Sequence, residues 1–385
     1  MERETQVINY RLIKRKAVSR RCFSKALLGC AMGVAWSALS GCSNTSITDF
    51  DDASAQVSPS SSSASSSQKE SASSVSEVAA TKTFFAFDTV ITLSAYCDES
   101  ILDEAANRCL FFENHFSRTV EGSDIWNVNN AQGSTVVVEP ETADIVSRAL
   151  EYARATEGLF DISIGAVSSL WDFVEAVKPS DEAIQEALKH INWKGITVNT
   201  ETCEITLSDP QAKLDLGGIA KGYIADDICS LLVSRGCESA VVNLGGNVAV
   251  VGTKPDGSLW NVGIQNPNGS TSDVIASVQC GDTSVVTSGL YERTFMLDGV
   301  SYYHILDPRT GYPVKTDLES VSIVSAASID GDVFATTAFL MGKEQAQSWI
   351  QEQGDYPTLF VDDSQVLSQI NGDAFTLAGE DTNAN

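Results

Sequence analysis

The sequence predicts an α+β protein of largely antiparallel sheets with packed helices, preceded by a disordered N-terminal segment. Three observations carry that class: a dense series of short apolar-alternating runs in the second half, longer amphipathic stretches placed early and late, and no regular strand–helix alternation of the kind a doubly wound parallel sheet needs. In chain order, the alternation from Phe84 to Tyr96 predicts a first strand and Glu99 to His115 an amphipathic helix. A second helix is expected over Pro140 to Thr156, with Pro140 close to a start position that needs no backbone N–H. A third is expected over Ser180 to His190, Ser180 being the cap with acidic residues behind it. Ile196 to Leu207 reads as a hairpin and Gly218 to Arg235 as a helix. Short strands follow over Ala240 to Asn243, Val248 to Val251, Trp260 to Ile264, Ile275 to Val278, Ser284 to Thr287, Arg293 to Leu297, Tyr302 to Leu306 and Ser320 to Val324. Two helices, Gly331 to Met341 and Lys343 to Gln353, precede closing strands near Thr358 and Val366.

The 385 residues suffice for one large domain or two intimate ones, and 43% apolar with 8% aromatic residues is enough to build a core. The front is different. Basic residues from Arg3 to Lys25 precede a weakly apolar run from Ala26 to Gly41, which predicts an export signal, too short and glycine-interrupted for a stable spanning helix. Ser19 to Lys25, with Arg20-Arg21, resembles the twin-arginine export motif; a generic basic segment is the other reading. Leu39-Ser40-Gly41-Cys42 resembles a lipobox in which Cys42 becomes a lipid anchor, against a chance cysteine. The Ser-rich stretch after it has too few apolar residues to offset chain entropy and reads as a flexible tether. The expected organisation is a signal over 1–41, a tether over 42–80, a folded domain over 81–376 and an acidic polar tail over 377–385. Such a domain would hang on the extracytoplasmic face of a bacterial cell membrane.

Charge narrows the partners. The net charge is −26, and the signal removes eight basic residues of 25 and two acidic of 51, leaving 17 against 49. Binding to nucleic acid, or to anionic lipid through a basic patch, is excluded on that balance. Cys97, Cys109, Cys203, Cys229, Cys237 and Cys280 remain in the folded part, none in a CxxC, so a zinc site is not indicated and any disulfide pairing stays open.

The most informative run is Leu214-Asp215-Leu216-Gly217-Gly218-Ile219-Ala220-Lys221-Gly222-Tyr223. An Asp ends an apolar stretch, two glycines make a bend, and a Lys enters the first helical turn, so backbone N–H groups and a cation can face an anion. Ordinary close packing at a Gly-Gly bend is the alternative. Neither GxxxxGK[ST] nor GxGxxG is present. Asp332 and Thr336 lie one helical turn apart and could offer Mg²⁺ an oxygen pocket; equally, Asp332 could favour a helix start while Thr336 bonds back to a carbonyl. His304, beside His115 and His190 one of three histidines, could accept a proton from a hydroxyl or simply end a strand. Arg309, in the turn Asp307-Pro308-Arg309-Thr310-Gly311, could pair with phosphate or stay solvated.

The chain resembles the ApbE family of flavin transferases, which move FMN from FAD onto a Ser or Thr of another protein. The resemblance rests on the Gly217-Gly218 run, on Phe160-Asp161 and on Val242-Asn243-Leu244-Gly245-Gly246-Asn247. It continues through Thr287-Ser288-Gly289, His304 to Pro313, and Asp332-Val333-Phe334-Ala335-Thr336. It implies a T-fold-like architecture, FAD as substrate, Mg²⁺ as cofactor, AMP as product and an exported or membrane acceptor flavoprotein. It places the metal on Asp332, Thr336 and the Gly218 carbonyl, with Asp330 as a nearby extra carboxylate. FAD contacts would come from Phe87, Phe160, Asp161, Asp215, Lys221 and Leu306, and catalysis from His304, Asp332 and Lys221. Two departures stand out: Phe87-Asp88-Thr89 where members usually carry Met-Gly-Thr, and Ile162 in place of the usual Pro after Asp161. Rival readings are an FAD pyrophosphatase releasing FMN and AMP, a non-catalytic flavin-binding lipoprotein, and a solute-binding protein without flavin. A catalytic Ser288 is a lesser alternative.

Overall fold

An eight-stranded antiparallel sheet organises the computed structural model, which describes residues 78–270 and 272–378. The signal 1–41, Cys42, most of the tether 42–80 and nearly all of the tail 377–385 lie outside the described residues. The strands are β1 (Ala80–Ala86), β2 (Thr89–Ala95), β3 (Val136–Val137), β4 (Ile196–Asn199), β5 (Glu204–Leu207), β6 (Ala240–Leu244), β7 (Asn247–Val251) and β8 (Trp260–Gln265). They continue with β9 (Val274–Cys280), β10 (Ser284–Gly289), β11 (Thr294–Leu297), β12 (Val300–Tyr303), β13 (Leu318–Ser325), β14 (Thr358–Asp362), β15 (Leu367–Ile370) and β16 (Phe375–Leu377). The large sheet has the order β1-β2-β6-β7-β10-β13-β14-β15, flanked by the small sheets β16-β9-β8, β3-β5-β4 and β11-β12. The α+β expectation holds.

The helices are α1 (Glu99–Phe116), α2 (Asp124–Asn130), α3 (Pro140–Ala155), α4 (Gly165–Ser168), α5 (Asp181–Ala187), α6 (Ala220–Ser234), α7 (Ser328–Met341) and α8 (Lys343–Gln353). Along one face of the large sheet, α1 packs on β1 and β2, α6 on β6 and β7, and α7 on β10 and β13, with α6 against α7. The period-two pleat sorts the core: Ala249 and Val251 of β7 and Phe360 of β14 face the main core, while Val250, Val285 and Leu359 pack against the small sheet of β8, β9 and β16. Both faces of the central strands are therefore buried, which explains their nearly continuous apolar runs. Among the described residues, no helix is long and apolar enough to cross a membrane.

Besides the short elements α2, β3, α4 and β16, which the sequence did not announce, three expected elements differ in extent or position. The single strand expected from Phe84 to Tyr96 is the hairpin β1–β2, turning at Phe87 (φ 55°) and Asp88 (φ 57°). Two successive left-handed residues make the tight turn such a hairpin needs, but no glycine announces it. Helix α7 starts at Ser328 rather than Gly331, because Asp226 of α6 accepts the Ser328 and Ile329 N–H groups at 2.8 and 3.1 Å and so caps it from another helix. Leu306, expected at a strand end, lies beyond β12 in a loop bridged to Pro313. Expected caps do appear: Ser180 Oγ accepts the Ala183 N–H at 3.2 Å, and Pro140 opens α3.

Candidate active site

The closest approach of α6 and α7 builds the site. A Cβ on Gly222 would stand 2.5 Å from the Ser328 oxygen and 2.8 Å from Asp332 Cβ, so a glycine is what lets these helices touch. At that contact the Gly222 N–H donates to Asp332 Oδ2 at 2.8 Å. A helical ladder would send that N–H to the Gly218 carbonyl, four residues back; its diversion leaves that carbonyl without a hydrogen bond among the described residues. One turn along α7, Thr336 faces the same bend: a Cβ on Gly218 would lie 3.8 Å from Thr336 Oγ1 and 3.2 Å from the Phe160 ring. Ser288 Oγ and Thr336 Oγ1 are 3.4 Å apart.

Gly218, Asp332 and Thr336, assigned together from sequence, thus converge. Burial pushes the Asp332 carboxyl above the usual carboxylate range; the Lys221 charge and the Gly222 N–H pull it back, and Glu292 pushes it further up. A buried carboxylate with one hydrogen bond is short of positive charge. Among the described residues, no three His, Cys, Asp or Glu gather round one point. The donors here are one carboxylate, one hydroxyl and one carbonyl, an oxygen set that fits a hard divalent cation completing its shell with water or phosphate.

Lys221, in the first turn of α6, reaches toward Glu292, with Nζ 3.8 Å from Oε2. His304 Nε2 is 4.0 Å from the same oxygen. The Nδ1 edge of His304 is sealed without a hydrogen-bond partner, although the ring keeps part of its surface exposed. This burial pushes its pKa down to about 4, helped by the positive charges of Lys221 and Arg293 and opposed by Glu292. Glu292 carried no recognisable sequence signal.

The hairpin turn at Phe87 is tied to this end of the sheet. Its N–H donates to Glu113 Oε1 at 3.1 Å and its carbonyl accepts from Arg293 Nη2 at 3.3 Å, while Asp88 lies 3.6 Å from Arg293. The Asp88 carboxylate therefore turns to a neighbouring cation. Gly245 (φ 64°) and Gly246 (φ 93°) close β6–β7; a Cβ on the first would collide with Thr89 Oγ1 at 2.3 Å.

Other expected contacts lie apart or are already engaged. Asp161 accepts the Ser163 N–H and Oγ–H through Oδ1 and the Trp193 N–H through Oδ2, and burial raises its pKa above the ordinary range. Asp215 holds Ser168 Oγ at 2.6 Å and Arg118 Nε at 3.1 Å, two partners sequence reading missed. Leu306 is buried with Val167, Trp171 and Phe295 in a separate cluster. Arg309 is clasped by Asp307, with Nη2 to Oδ2 at 2.7 Å. Asp330 accepts from the phenols of Tyr152 and Tyr356 instead of joining Asp332. A cavity lined by Asn129, His190 and Lys213 includes none of these residues.

The glycine bend, the helix-borne Asp332 and Thr336 and the neighbouring Lys221 form one oxygen-lined, lysine-flanked site on an α+β fold built round an antiparallel sheet. The ApbE family model matches residues 87–360, and the chain belongs to the ApbE family. It is similar to the FAD:protein FMN transferase of Treponema pallidum, with 38% identity over 250 residues, 60% of this chain and 69% of the relative. A Klebsiella pneumoniae protein of the same name is 34% identical over 242 residues, covering 62% and 75%. The ApbE protein of Thermotoga maritima superposes with a TM-score of 0.70 at 31% identity, covering 76% of this chain and 96% of that one. The flavin transferase ApbE from Vibrio cholerae, at 23% identity and a TM-score of 0.67 over 76% and 96%, supports the fold alone.

Proposed function

We propose that this chain is an FAD:protein FMN transferase that requires Mg²⁺, delivers FMN to a Ser or Thr hydroxyl of an exported or membrane acceptor protein, and releases AMP. The observation that carries the reading is the convergence of Gly218, Asp332 and Thr336 at one glycine contact, with Lys221 in the adjoining helical turn. Bound on Asp332, Thr336 and the Gly218 carbonyl, Mg²⁺ would neutralise charge on the diphosphate oxygens of FAD. Lys221 supplies a second positive charge to the phosphates. His304, held neutral by burial, accepts the acceptor's hydroxyl proton on its open edge. The hydroxyl oxygen bonds to the FMN-side phosphorus, the bond from that phosphorus to the bridging oxygen breaks, and AMP leaves with the electron pair. Phe87 and Phe160 would supply apolar surface to the flavin or adenine, Leu306 would support that wall from its own buried cluster, and Asp161 and Asp215 would brace the neighbouring loops. Residues 1–41 would direct export and Cys42 would anchor the domain on the extracytoplasmic face of the membrane, within reach of its acceptor.

The test is mass spectrometry of a Ser/Thr-containing acceptor after incubation with the protein, FAD and Mg²⁺. An added FMN mass, absent with Asp332→Ala and absent after chelation, is the expected result. AMP release without acceptor modification would instead identify a pyrophosphatase, and FAD recovered intact would identify a binding protein.

A further inference from the structure

We propose that Glu292 is a positioning residue of this site: its carboxylate fixes the Lys221 ammonium and the His304 imidazole relative to one another. The inference rests on the transfer reading above, which gave Glu292 no role. Lys221 Nζ lies 3.8 Å and His304 Nε2 4.0 Å from the same oxygen, Oε2. These two groups come from remote segments, one on the first turn of α6 and the other on the loop after β12. The bond from His304 N–H to the Arg293 carbonyl, at 3.2 Å, ties the histidine's backbone to the segment that bears Glu292. A second tie runs from the Arg293 side chain to the Phe87 carbonyl. The segment after β10 thus holds histidine backbone, histidine ring, lysine and hairpin turn, and Glu292 is its one anionic side chain.

The surroundings of the ring show why an anion belongs there. Charged groups facing His304 are Lys221, Arg293 and Glu292. Two are positive, and a proton arriving on the open edge of the ring would meet both. Glu292 offsets them, so an imidazolium formed during transfer has a counter-charge nearby. It also restrains the lysine without a close hydrogen-bonded pair: at 3.8 Å the ammonium remains free to turn to a diphosphate, and the carboxylate is then left facing the histidine alone. One residue would thus serve Lys221 before FAD binds and His304 while the proton moves.

The experiment compares wild type, Glu292→Gln and Glu292→Asp in the full chain. It reads FAD affinity by calorimetry with Mg²⁺, kcat and KM for transfer to an acceptor, the pH–rate profile, and Tm. The expected result for Glu292→Gln is FAD affinity unchanged or tighter, because the lysine is released, together with a kcat loss on the order of 10²-fold from misplaced groups. Its acidic limb should move to lower pH, because His304 keeps only positive neighbours, and Glu292→Asp should recover part of kcat. Unaltered kcat and pH profile in Glu292→Gln would overturn the proposal, as would parallel losses of FAD affinity, kcat and Tm that Glu292→Asp does not relieve, the mark of a purely structural residue. Wild-type protein that binds FAD without modifying any acceptor would overturn the transfer reading itself, a result distinct from an active wild type with an indifferent Glu292 variant.

Discussion

Helix α7 carries two carboxylates with one residue between them, and the fold treats them in opposite ways. Asp330 lies among aromatic rings and accepts hydrogen bonds from Tyr152 and Tyr356. Asp332 lies against α6, where among the described residues its one hydrogen bond comes from the Gly222 N–H, and the Lys221 charge acts on it. Burial raises both pKa values above the ordinary carboxylate range. The difference lies in what answers the desolvation: two phenols for Asp330, and for Asp332 one backbone N–H together with the charge of Lys221. A buried polar group that is fully bonded stabilises a fold, whereas one left short of partners marks a site maintained against its own stability.

The largest break in that contrast comes from Asp332→Ala. Transfer should fall on the order of 10³-fold, because the carboxylate that would hold the proposed Mg²⁺ is gone. Metal-free Tm should stay level or rise, since a desolvated carboxylate has been removed. Calorimetric titration with Mg²⁺ and FAD, run beside differential scanning calorimetry, checks both; a lower metal-free Tm would make Asp332 a structural residue like its neighbour.

Gly222→Ala should come next. Its methyl would meet Ser328, Ile329 and Asp332 below contact distance, forcing α6 and α7 apart. We expect a loss of about 2–3 kcal/mol by urea unfolding, with Mg²⁺ affinity falling as the Gly218 carbonyl and Thr336 separate. Stability lost with metal affinity intact would show that the helix contact does not set the metal geometry.

Asp330→Asn sharpens the contrast from the other side. An amide can accept from only one of the two phenols through its oxygen, so stability should fall by about 1–2 kcal/mol while transfer per folded molecule is unchanged. A fall in Mg²⁺ affinity would add Asp330 to the proposed ligands.

How much of this was readable in the sequence follows from the range of each interaction. The Gly-Gly bend with its lysine, and the Asp–Thr pair one turn apart, are local patterns in which helical geometry converts spacing into position, and they came together as expected. Glu292 was invisible because its meaning depends on Lys221 and His304, which only the tertiary fold brings to it. The start of α7 was misplaced for the same reason: its cap, Asp226, belongs to another helix. The hairpin at Phe87 was missed because strain in two non-glycine residues has no compositional mark. Asp161 and Arg309 show the converse. Both occupy recognisable motifs, yet their side chains are already bonded within the protein, Arg309 to Asp307 and Asp161 to Ser163 and the Trp193 N–H.

His304 gives a pH test of how that end of the sheet is buried. Its pKa in the fold is about 4 against an ordinary 6.5, so between those values the unfolded chain binds the proton more readily than the folded one. The sign follows: the contribution to stability is fully present above about pH 6.5 and is lost as pH falls toward 4. Comparing unfolding of wild type and His304→Gln from pH 7.5 to 4.5 should show wild type losing stability faster over that window. Parallel curves would mean that the ring titrates as if exposed.

The smallest effect is expected from Arg309→Ala. Its guanidinium lies mostly in solvent but is folded back onto the nearly buried Asp307, gripping both carboxylate oxygens. With its guanidinium mostly in solvent, the arginine contributes about 0–1 kcal/mol, and the Arg309 and Gly311 N–H groups still face Asp307, so Tm should barely move. FAD affinity should not change either, because the cation is already committed to a carboxylate two residues away. A tenfold or greater loss of FAD affinity at constant Tm would show that phosphate draws the guanidinium off Asp307. The boundary between residues that serve the ligand and residues that serve the fold would then shift when FAD binds.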